Sequence, residues 1–315
     1  MTSLLKIERS PRRGLMTLEW VMLAYMALTT LLMFFMYTKL QNPESMLWGR
    51  VRILFITIAM WGVYRLVPCR LTTFARIAVQ MALLSWWYPD TYEFNRLFPN
   101  LDHLFATWEQ SLFGCQPALH FHSVFSWKVF SELMHLGYSA YYPMIGAVVL
   151  YCLLCKYDMM ERAATVIMTS FFVYYVIYIA IPVAGPQYYF LAAGMDNIAA
   201  GVFPDVNNYF LTHCESLPLP GWNGGFFYDM VQSAHDAGER PTAAFPSSHV
   251  GVSTIVMLLA WKTGSRRLLY CLLPLYVLLC FSTVYIQAHY AIDVLGGWVS
   301  GAMLFFTLWF ALRLR

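Results

Sequence analysis

Eight long apolar segments constrain this chain more than any other feature of its sequence. A helix crosses the hydrocarbon core of a bilayer with roughly 17 to 25 apolar residues, and the third and sixth segments are at or below the short end of that range. The length and number of these segments predict an all-α, polytopic transmembrane helical bundle of about eight spans, forming a single integral membrane domain. The segments are Leu15–Tyr37, Val51–Val67, Phe74–Tyr88, Met134–Cys155, Ala163–Ala184, Phe245–Trp261, Leu268–Tyr285 and Ala291–Leu312.

The composition supports a membrane protein and excludes two other classes. Of 315 residues, 59% are hydrophobic and only 12% are charged, whereas soluble domains carry about 25% charged residues. The net charge is only +3, and the basic residues lie in short clusters between apolar segments. No continuous basic surface is therefore available to bind nucleic acid. The first apolar segment is longer than the core of a signal peptide and no cleavage site follows it. We therefore interpret it as a retained helix.

The distribution of charge orients the predicted spans. With eight spans, most basic residues fall on one side, which the positive-inside rule makes cytoplasmic together with both termini. Lys39 and Arg50 fall on the other side and count against this orientation. Two long acidic loops, residues 89–133 and 185–244, also lie outside, and Arg240 is the only lysine or arginine in the second loop. The cytoplasmic set is Lys6, Arg9, Arg12, Arg13, Arg70, Lys156, Arg162, Lys262, Arg266, Arg267, Arg313 and Arg315.

The cysteine residues do not form a recognisable metal or disulfide pattern. Cys152 and Cys155 have C-x-x-C spacing, but they lie in an apolar segment with no second pair. Cys115 and Cys214 fall in the two long loops, so a bridge between them stays open.

Two histidine-centred segments carry the residues most suited to chemistry, and both fall at outer ends of predicted spans. His289 and Asp293 are four residues apart, so a helix places them on one face. A carboxylate there can accept the Nδ1 proton and leave Nε2 as a nucleophile or base. A second histidine, His249, is available as a general acid.

The residues before His249 are suited to binding an anion. Ser247 and Ser248 enter a helix N-terminus, where free N–H groups and the helix dipole favour negative charge. Arg240 adds a cation that can contact phosphate through two nitrogens. Each feature alone has an ordinary explanation, such as an N-cap, a headgroup anchor or an interfacial histidine. Together, in this order and on one side, they favour phosphoryl transfer.

The two segments resemble motifs of the type-2 phosphatidic acid phosphatase superfamily. Pro246-Ser247-Ser248-His249 is similar to its P-S-G-H box, and His289 with Asp293 is similar to the H-x-x-x-D end of its last box. The resemblance implies that His289 forms a phosphohistidine, Asp293 orients it and His249 protonates the leaving oxygen. Ser247, Ser248 and Arg240 would hold the phosphate, with no metal or other cofactor. It also implies a six-helix catalytic core, residues 69–315, with two additional N-terminal helices in residues 1–68.

Departures from the motifs of this superfamily indicate which of its branches the sequence resembles. Thr283 stands where the last box usually has an arginine, and Ser233 stands where the first box has a lysine. Fewer cations suit a phosphodiester better than a monoester. The segment from Tyr285 to Asp293 is similar to the last box of aureobasidin-resistance-type inositol phosphorylceramide synthases and of sphingomyelin synthases. The segment from Ala184 through Gln187 and Tyr188 resembles a Gly-Pro-Pro-Trp-Tyr segment of the former.

These observations predict a lipid phosphotransferase whose partners are a phospholipid donor and a lipid-alcohol acceptor such as ceramide, with the site facing the periplasm, lumen or exterior. A phosphatase for phosphatidate-like or polyprenyl phosphates is the alternative. A transporter is less favoured, because it predicts charged residues along a mid-membrane pathway. A possible headgroup or acceptor pocket comprises Gln187, Tyr188, Tyr285, Tyr290 and His135, although His135 could equally be a buried structural histidine.

Overall fold

A computed structural model describes residues 4–312, and all regular structure in that range is helical. Arg313 and Arg315, which contribute to the predicted charge asymmetry, lie outside the described residues. Fifteen α-helices follow one another along the described chain. They are α1 (Thr17–Met36), α2 (Pro43–Leu66), α3 (Arg70–Ala82), α4 (Leu84–Asn95), α5 (Asp102–Phe113), α6 (Pro117–Val124), α7 (Lys128–Ser139), α8 (Tyr141–Cys155), α9 (Tyr157–Ala180), α10 (Pro186–Ala193), α11 (Met195–Ala199), α12 (Phe226–Asp236), α13 (Ser248–Lys262), α14 (Arg266–Tyr285) and α15 (Ala291–Ala311).

The structure supports a membrane protein but does not confirm the predicted number of eight spans. Within residues 4–312, five helices are long and apolar enough to cross a membrane: α1, α2, α9, α14 and α15. Helices α7 and α8 form a sixth candidate if they count as one span bent by 48°. The remaining two predicted spans differ from their apolar segments. The third breaks at Leu83 between α3 and α4, and the sixth forms only the 15-residue α13.

Two buried ion pairs join the N-terminal helices to the rest of the bundle. Arg76 of α3 binds Glu19 of α1, and Arg50 of α2 binds Asp90 of α4 at 2.9 Å. All four side chains are nearly inaccessible to solvent. Because an unpaired buried charge is strongly destabilising, each pair fixes the register of its two helices. Arg50, which counted against the predicted orientation, is therefore a buried structural cation.

The centre of the bundle is formed by α9, α13 and α15, with α14 and α8 beside them. Helix α15 approaches the first turn of α13 closely at Gly297, where an added Cβ atom would lie 2.7 Å from the carbonyl oxygen of Ser247. The N–H of Ser247 also donates to the carbonyl oxygen of Asp293 at 3.1 Å. This close contact brings the two histidine-centred segments of the sequence together at one end of the bundle.

Candidate active site

The two predicted histidines face each other at the meeting point of α13, α14 and α15. His249 lies in the first turn of α13, and His289 lies in the short segment between α14 and α15. Nε2 of His289 is 3.4 Å from Nδ1 of His249, and the ring centroids are 5.6 Å apart. The separation of forty residues in sequence therefore corresponds to near contact in space.

The orientation of the His289 ring is set mainly by a backbone group. Its Nδ1 atom is 2.8 Å from the carbonyl oxygen of Ala244 and 3.5 Å from Oδ2 of Asp293. A carbonyl oxygen can only accept, so Nδ1 carries the proton and Nε2 carries a lone pair. Burial lowers the pKa of His289 to about 4, although the Ala244 carbonyl and the Glu239 carboxylate act to raise it. At neutral pH the Nε2 atom is thus available as a nucleophile.

Asp293 makes two contacts at the start of α15. Its Oδ2 atom accepts a hydrogen bond from the N–H of Tyr290 at 2.8 Å, which caps the helix, and the same oxygen faces Nδ1 of His289. The side chain is fully buried, and its Oδ1 atom has no hydrogen-bond partner among the described residues. The prediction that Asp293 orients His289 is therefore compatible with the geometry, but the Ala244 carbonyl is the closer partner.

The His249 ring is packed between aromatic side chains. The ring of Tyr138 stacks on it with a centroid distance of 4.7 Å, and the ring of Tyr141 lies at 4.4 Å. These contacts restrict the rotation of the imidazole while its Nδ1 atom faces His289. Because Nε2 of His289 carries a lone pair, Nδ1–H of His249 is the group suited to donate a proton between the two rings.

Some of the groups at the start of α13 that were predicted to bind an anion already form hydrogen bonds within the protein. The Ser247 side chain is fully buried and accepts a hydrogen bond from the N–H of Val250 at 3.3 Å, which makes it the N-cap. The N–H of Ser248 donates to the hydroxyl of Tyr178 at 3.0 Å. A phosphate would therefore compete with these partners, and the assignment of Ser247 and Ser248 to phosphate binding stays a prediction.

The cations around the histidines are few. Arg240 is exposed, and its carbonyl oxygen accepts from the N–H of Thr242 at 2.7 Å. Thr283 is fully buried, its hydroxyl bonds to the carbonyl oxygen of Cys280, and its own carbonyl accepts from the N–H of His289. The position that is usually an arginine in the family thus supports the backbone of His289 here. Phosphate binding by Arg240 stays a prediction.

The residues predicted to form a pocket divide between two places. Gln187 and Tyr188 are buried in α10, where the N–H of Gln187 bonds to the carbonyl of Gln287 and the Tyr188 ring packs against Phe210. This contact with Gln287 places α10 two residues from His289. Their role in substrate binding stays a prediction.

Tyr285 instead lies in a separate buried cluster with Met134, Leu219 and Ile286, and the ring of His135 packs against the ring of Tyr285 with a centroid distance of 6.2 Å. Nδ1 of His135 bonds to the carbonyl of Ser131 at 2.7 Å, and the Tyr285 hydroxyl donates to the carbonyl of Phe125. These contacts are those expected if His135 is a buried structural histidine. The assignment of His135 and Tyr285 to a headgroup or acceptor pocket stays a prediction.

Two buried acids near the histidines were not singled out by the sequence. Asp102 of α5 accepts hydrogen bonds from the N–H groups of Ala184 and Gly185 and from the hydroxyl of Tyr290 at 2.9 Å. Glu109, two turns further along α5, accepts from the N–H of Ile292 at 3.1 Å. Both acids are far from His289 in sequence and belong to no recognisable motif. The one sequence signal that could have identified them is the presence of carboxylates in an amphipathic helix within a loop.

The cysteines of the described chain form no disulfide, and its histidine, cysteine and acidic side chains form no metal-binding cluster. All seven cysteines are unpaired, so the possible Cys115–Cys214 bridge is absent, and Cys214 lies 3.2 Å from the hydroxyl of Tyr92. Residues 4–312 contain no cluster of three or more histidine, cysteine or acidic side chains placed to hold a metal ion.

Comparison with known proteins identifies the family. The model of the PAP2 superfamily matches residues 103–307, which is more than half of the chain and includes both histidines and all of α5 except its first residue, Asp102. No curated protein and no solved structure matches the chain. Members of this superfamily are phosphatases or phosphotransferases, which supports an activity on lipid phosphoesters. With paired histidines at the meeting point of its helices and a match of this extent, the chain belongs to the PAP2 superfamily.

Proposed function

We propose that the protein transfers a phosphorylated headgroup, such as phosphoinositol, from a glycerophospholipid to ceramide or a similar lipid alcohol. The observation that carries this proposal is the 3.4 Å approach of His289 Nε2 to His249 Nδ1, with His289 Nδ1 already bonded to Ala244. This arrangement leaves one nucleophilic nitrogen beside one proton donor. Those two groups are the minimum that a phosphohistidine mechanism needs.

In the first half-reaction, Nε2 of His289 attacks the phosphorus of the donor. His249 enters this step as the imidazolium, the form that the negative charge of the bound donor phosphate favours. The N–P bond forms, the P–O bond to diacylglycerol breaks, and Nδ1–H of His249 protonates the leaving oxygen, which leaves His249 neutral. The imidazole of His289 then carries positive charge, which the Ala244 carbonyl and the nearby Asp293 carboxylate stabilise. In the second half-reaction, the hydroxyl of the lipid alcohol attacks phosphorus, His249 takes its proton, and the N–P bond breaks.

The surroundings of the histidines favour a lipid alcohol over water as the acceptor. Tyr138 and Tyr141 pack against His249, while α10 contributes three consecutive buried aromatic side chains, Tyr188, Tyr189 and Phe190. Aromatic side chains of this kind can hold apolar chains and limit the access of water. A positioned acceptor reaches an effective molarity of about 10⁵ M or more, far above the concentration of bulk water.

The low number of cations favours a diester donor. A phosphate monoester brings close to two negative charges at neutral pH, whereas a diester brings one. Arg240 is the single lysine or arginine of residues 185–244, and the family's usual arginine is replaced by the buried Thr283. The similarity of the last box to inositol phosphorylceramide synthases supports the same assignment.

The alternative is a lipid phosphate phosphatase, which membership of the superfamily supports equally. In that case water resolves the phosphohistidine and the substrate is a phosphatidate-like or polyprenyl phosphate. For either reaction we propose a site that faces the periplasm, lumen or exterior, with both termini cytoplasmic. The distribution of basic residues supports this orientation.

The decisive experiment measures products. Purified protein in detergent or vesicles is given labelled phosphatidylinositol with and without ceramide, and separately labelled phosphatidate, and the products are identified by mass spectrometry. We expect a sphingolipid that bears the headgroup, formed together with diacylglycerol only when ceramide is present, and little inorganic phosphate. Rapid release of phosphate from phosphatidate with no acceptor-dependent product would decide for the phosphatase. The His289→Ala variant controls for contaminating activity.

A further inference from the structure

Two buried carboxyl groups meet at the N-terminus of α15, next to the catalytic centre. Glu109 of α5 and Asp293 of α15 both have side chains that are inaccessible to solvent. Oε2 of Glu109 accepts from the N–H of Ile292, and Oδ2 of Asp293 accepts from the N–H of Tyr290. These two N–H groups are only two residues apart in the chain, so both carboxyl groups lie against the same turn of backbone.

Each of these carboxyl groups has one oxygen atom without a partner. Oε1 of Glu109 and Oδ1 of Asp293 are buried and accept no hydrogen bond from any described residue. A buried polar atom without a partner is unfavourable, and two ionised carboxylates in one desolvated place repel each other. One proton held between the two groups removes both problems, because the protonated carboxyl becomes a donor for the other.

We propose that Glu109 is a positioning residue that retains its proton and donates a hydrogen bond from Oε1 to Oδ1 of Asp293. The pair then carries a single negative charge, and that charge lies on Asp293, whose other oxygen faces Nδ1 of His289 at 3.5 Å. Glu109 would act on the nucleophile only through Asp293. The inference rests on the proposed role of His289 as the nucleophile.

The electrostatic surroundings of Glu109 favour the protonated form. Burial and the charge of Asp293 together raise the pKa of Glu109 to about 8, and the N–H groups at the start of α15 only partly oppose this shift. Burial also disfavours the ionised form of Asp293, so the two groups compete for one proton. The N–H of Tyr290 and Nδ1–H of His289 both face Oδ2 of Asp293, and these donors favour the negative charge on Asp293. Asp102 lies on the same helix, but its carboxylate is already occupied by four donors, among them the Tyr290 hydroxyl. His289 is neutral above about pH 4 and supplies no counter-charge. The described groups near Glu109 therefore include two acids and no cation.

The shared proton explains how Asp293 can stabilise positive charge on His289. While Glu109 is protonated, it does not repel the carboxylate of Asp293. When the N–P bond forms, the imidazole becomes cationic and the single charge of the pair lies beside it. If Glu109 lost its proton, its repulsion of Asp293 would move that side chain, which also caps α15. Displacements of about 1 Å at such a centre can reduce the rate by about 10²-fold.

Glutamine is the matched replacement for testing this inference. Its carbonyl oxygen can accept from Ile292 while its NH₂ group donates to Asp293, so Glu109→Gln preserves both contacts but cannot ionise. Glu109→Ala removes both. Glu132→Gln is the control, because Glu132 also accepts from backbone N–H groups at a helix start, those of Phe227 and Tyr228.

The first measurement does not depend on activity. Infrared difference spectra between the wild-type protein and Glu109→Gln at pH 7 should show the absorption of a protonated carboxyl group that only the wild type has. This absorption should disappear as the pH rises through about 8, and Asp293→Asn should shift its frequency. A wild-type spectrum at pH 7 without that absorption would overturn the proposal, whatever reaction the enzyme catalyses.

The second measurement is the pH profile of kcat/KM for the donor lipid. We expect the wild-type value to fall above about pH 8 and that of Glu109→Gln to stay level there, with a value within about tenfold of wild type at pH 7. Glu109→Ala should be about 10²-fold slower. An unchanged alkaline limb in Glu109→Gln would contradict the inference, whereas failure of the proposed transferase would appear as missing product in the wild type.

Discussion

Nδ1 of His289 donates to the carbonyl oxygen of Ala244, which lies 45 residues earlier in the chain, at a distance of 2.8 Å. This bond connects the segment before α13 directly to the segment before α15. The N–H of Ala244 is held in turn by the carbonyl of Val183 at 3.0 Å. The tautomer of His289, the proposed nucleophile, therefore depends on the backbone conformation of residues 243–244, and a mutation there should affect catalysis without removing any proposed reacting group.

Ala243 provides a test of this dependence, because its φ of 71° lies in the left-handed region. Glycine adopts that region without strain, so Ala243→Gly should keep activity and raise the free energy of unfolding by about 0.5–1 kcal/mol. Ala243→Val should destabilise by about 1–3 kcal/mol and lower kcat about 10²-fold. Chemical denaturation and product assays measure both effects.

The matched control is Ala237→Val, at an exposed residue with a φ of −71°. It should change neither stability nor kcat appreciably. If Ala243→Val retained full kcat, the backbone carbonyl would not control the nucleophile.

The division of labour between the histidines is open to a direct test. His289→Ala should abolish both product formation and the covalent phosphoenzyme, because it removes the proposed nucleophile. His249→Ala should still form the intermediate slowly when the donor carries a good leaving group, since a general acid contributes typically about 10²–10⁴-fold. Trapping of labelled phosphoenzyme after rapid acid-free denaturation measures this. Labelled intermediate in His289→Ala would refute the assignment.

The sequence predicted that the segments with the two histidines and Asp293 lie at outer ends of helices, and in the structure these residues lie together, while their catalytic roles stay predictions. The four-residue spacing of His289 and Asp293 and the N-cap at Ser247 are local sequence signals, and the structure contains both features. The partners from distant segments could not be predicted. Glu109 is separated from Ile292 by 183 residues, and the Ala244 carbonyl is a backbone acceptor that no side chain identifies.

The apolar segments correspond to the long helices α1, α2, α9, α14 and α15, whereas the spans predicted at the third and sixth segments are not confirmed. Hydropathy does not detect a break in an apolar run, so the division at Leu83 between α3 and α4 was not predicted. The buried pair of Arg50 and Asp90 was also missed, because a charge in a loop and a charge with a buried partner look alike in sequence. The distribution of basic residues therefore indicates the orientation of the helices in the membrane only where those residues are exposed.

The low pKa of His289 predicts its titration and its contribution to stability. Because burial lowers the pKa from 6.5 to about 4, nitrogen NMR should find the neutral Nδ1–H tautomer down to about pH 4, with His289→Gln to assign the signal. As the pH falls from 6.5 to about 4, the unfolded chain gains a proton that the folded protein does not. The wild type should therefore lose unfolding free energy relative to His289→Gln in this window. Titration near pH 6.5 would contradict the burial of this ring.

Arg240 is an exposed cation whose predicted task is to bind the phosphate of the donor. A hydrogen bond to a charged group contributes about 1.5–3 kcal/mol, so Arg240→Ala should lower kcat/KM by about 10- to 100-fold. Arg240→Lys should recover part of this loss, because lysine keeps the charge without the forked geometry. Lys128→Ala is the control, since Lys128 is an exposed cation that lies over the Trp222 ring. An equal loss in the control would mean that Arg240 acts only through general attraction of anionic lipid.

The orientation of the bundle is testable at two exposed helix positions. Arg267 lies in the first turn of α14, in a connection that carries three basic residues, whereas Met230 lies in α12 within the acidic loop. In a background in which all seven native cysteines are replaced, Met230→Cys should react with a membrane-impermeant thiol reagent in intact cells, and Arg267→Cys should react only after permeabilisation. Labelling of both after permeabilisation controls for accessibility, because both side chains are exposed. The reverse pattern would place α12, and with it the end of the bundle that holds His249 and His289, on the cytoplasmic side. The donor lipid would then have to come from the inner leaflet, and the proposed direction of the active site would be wrong.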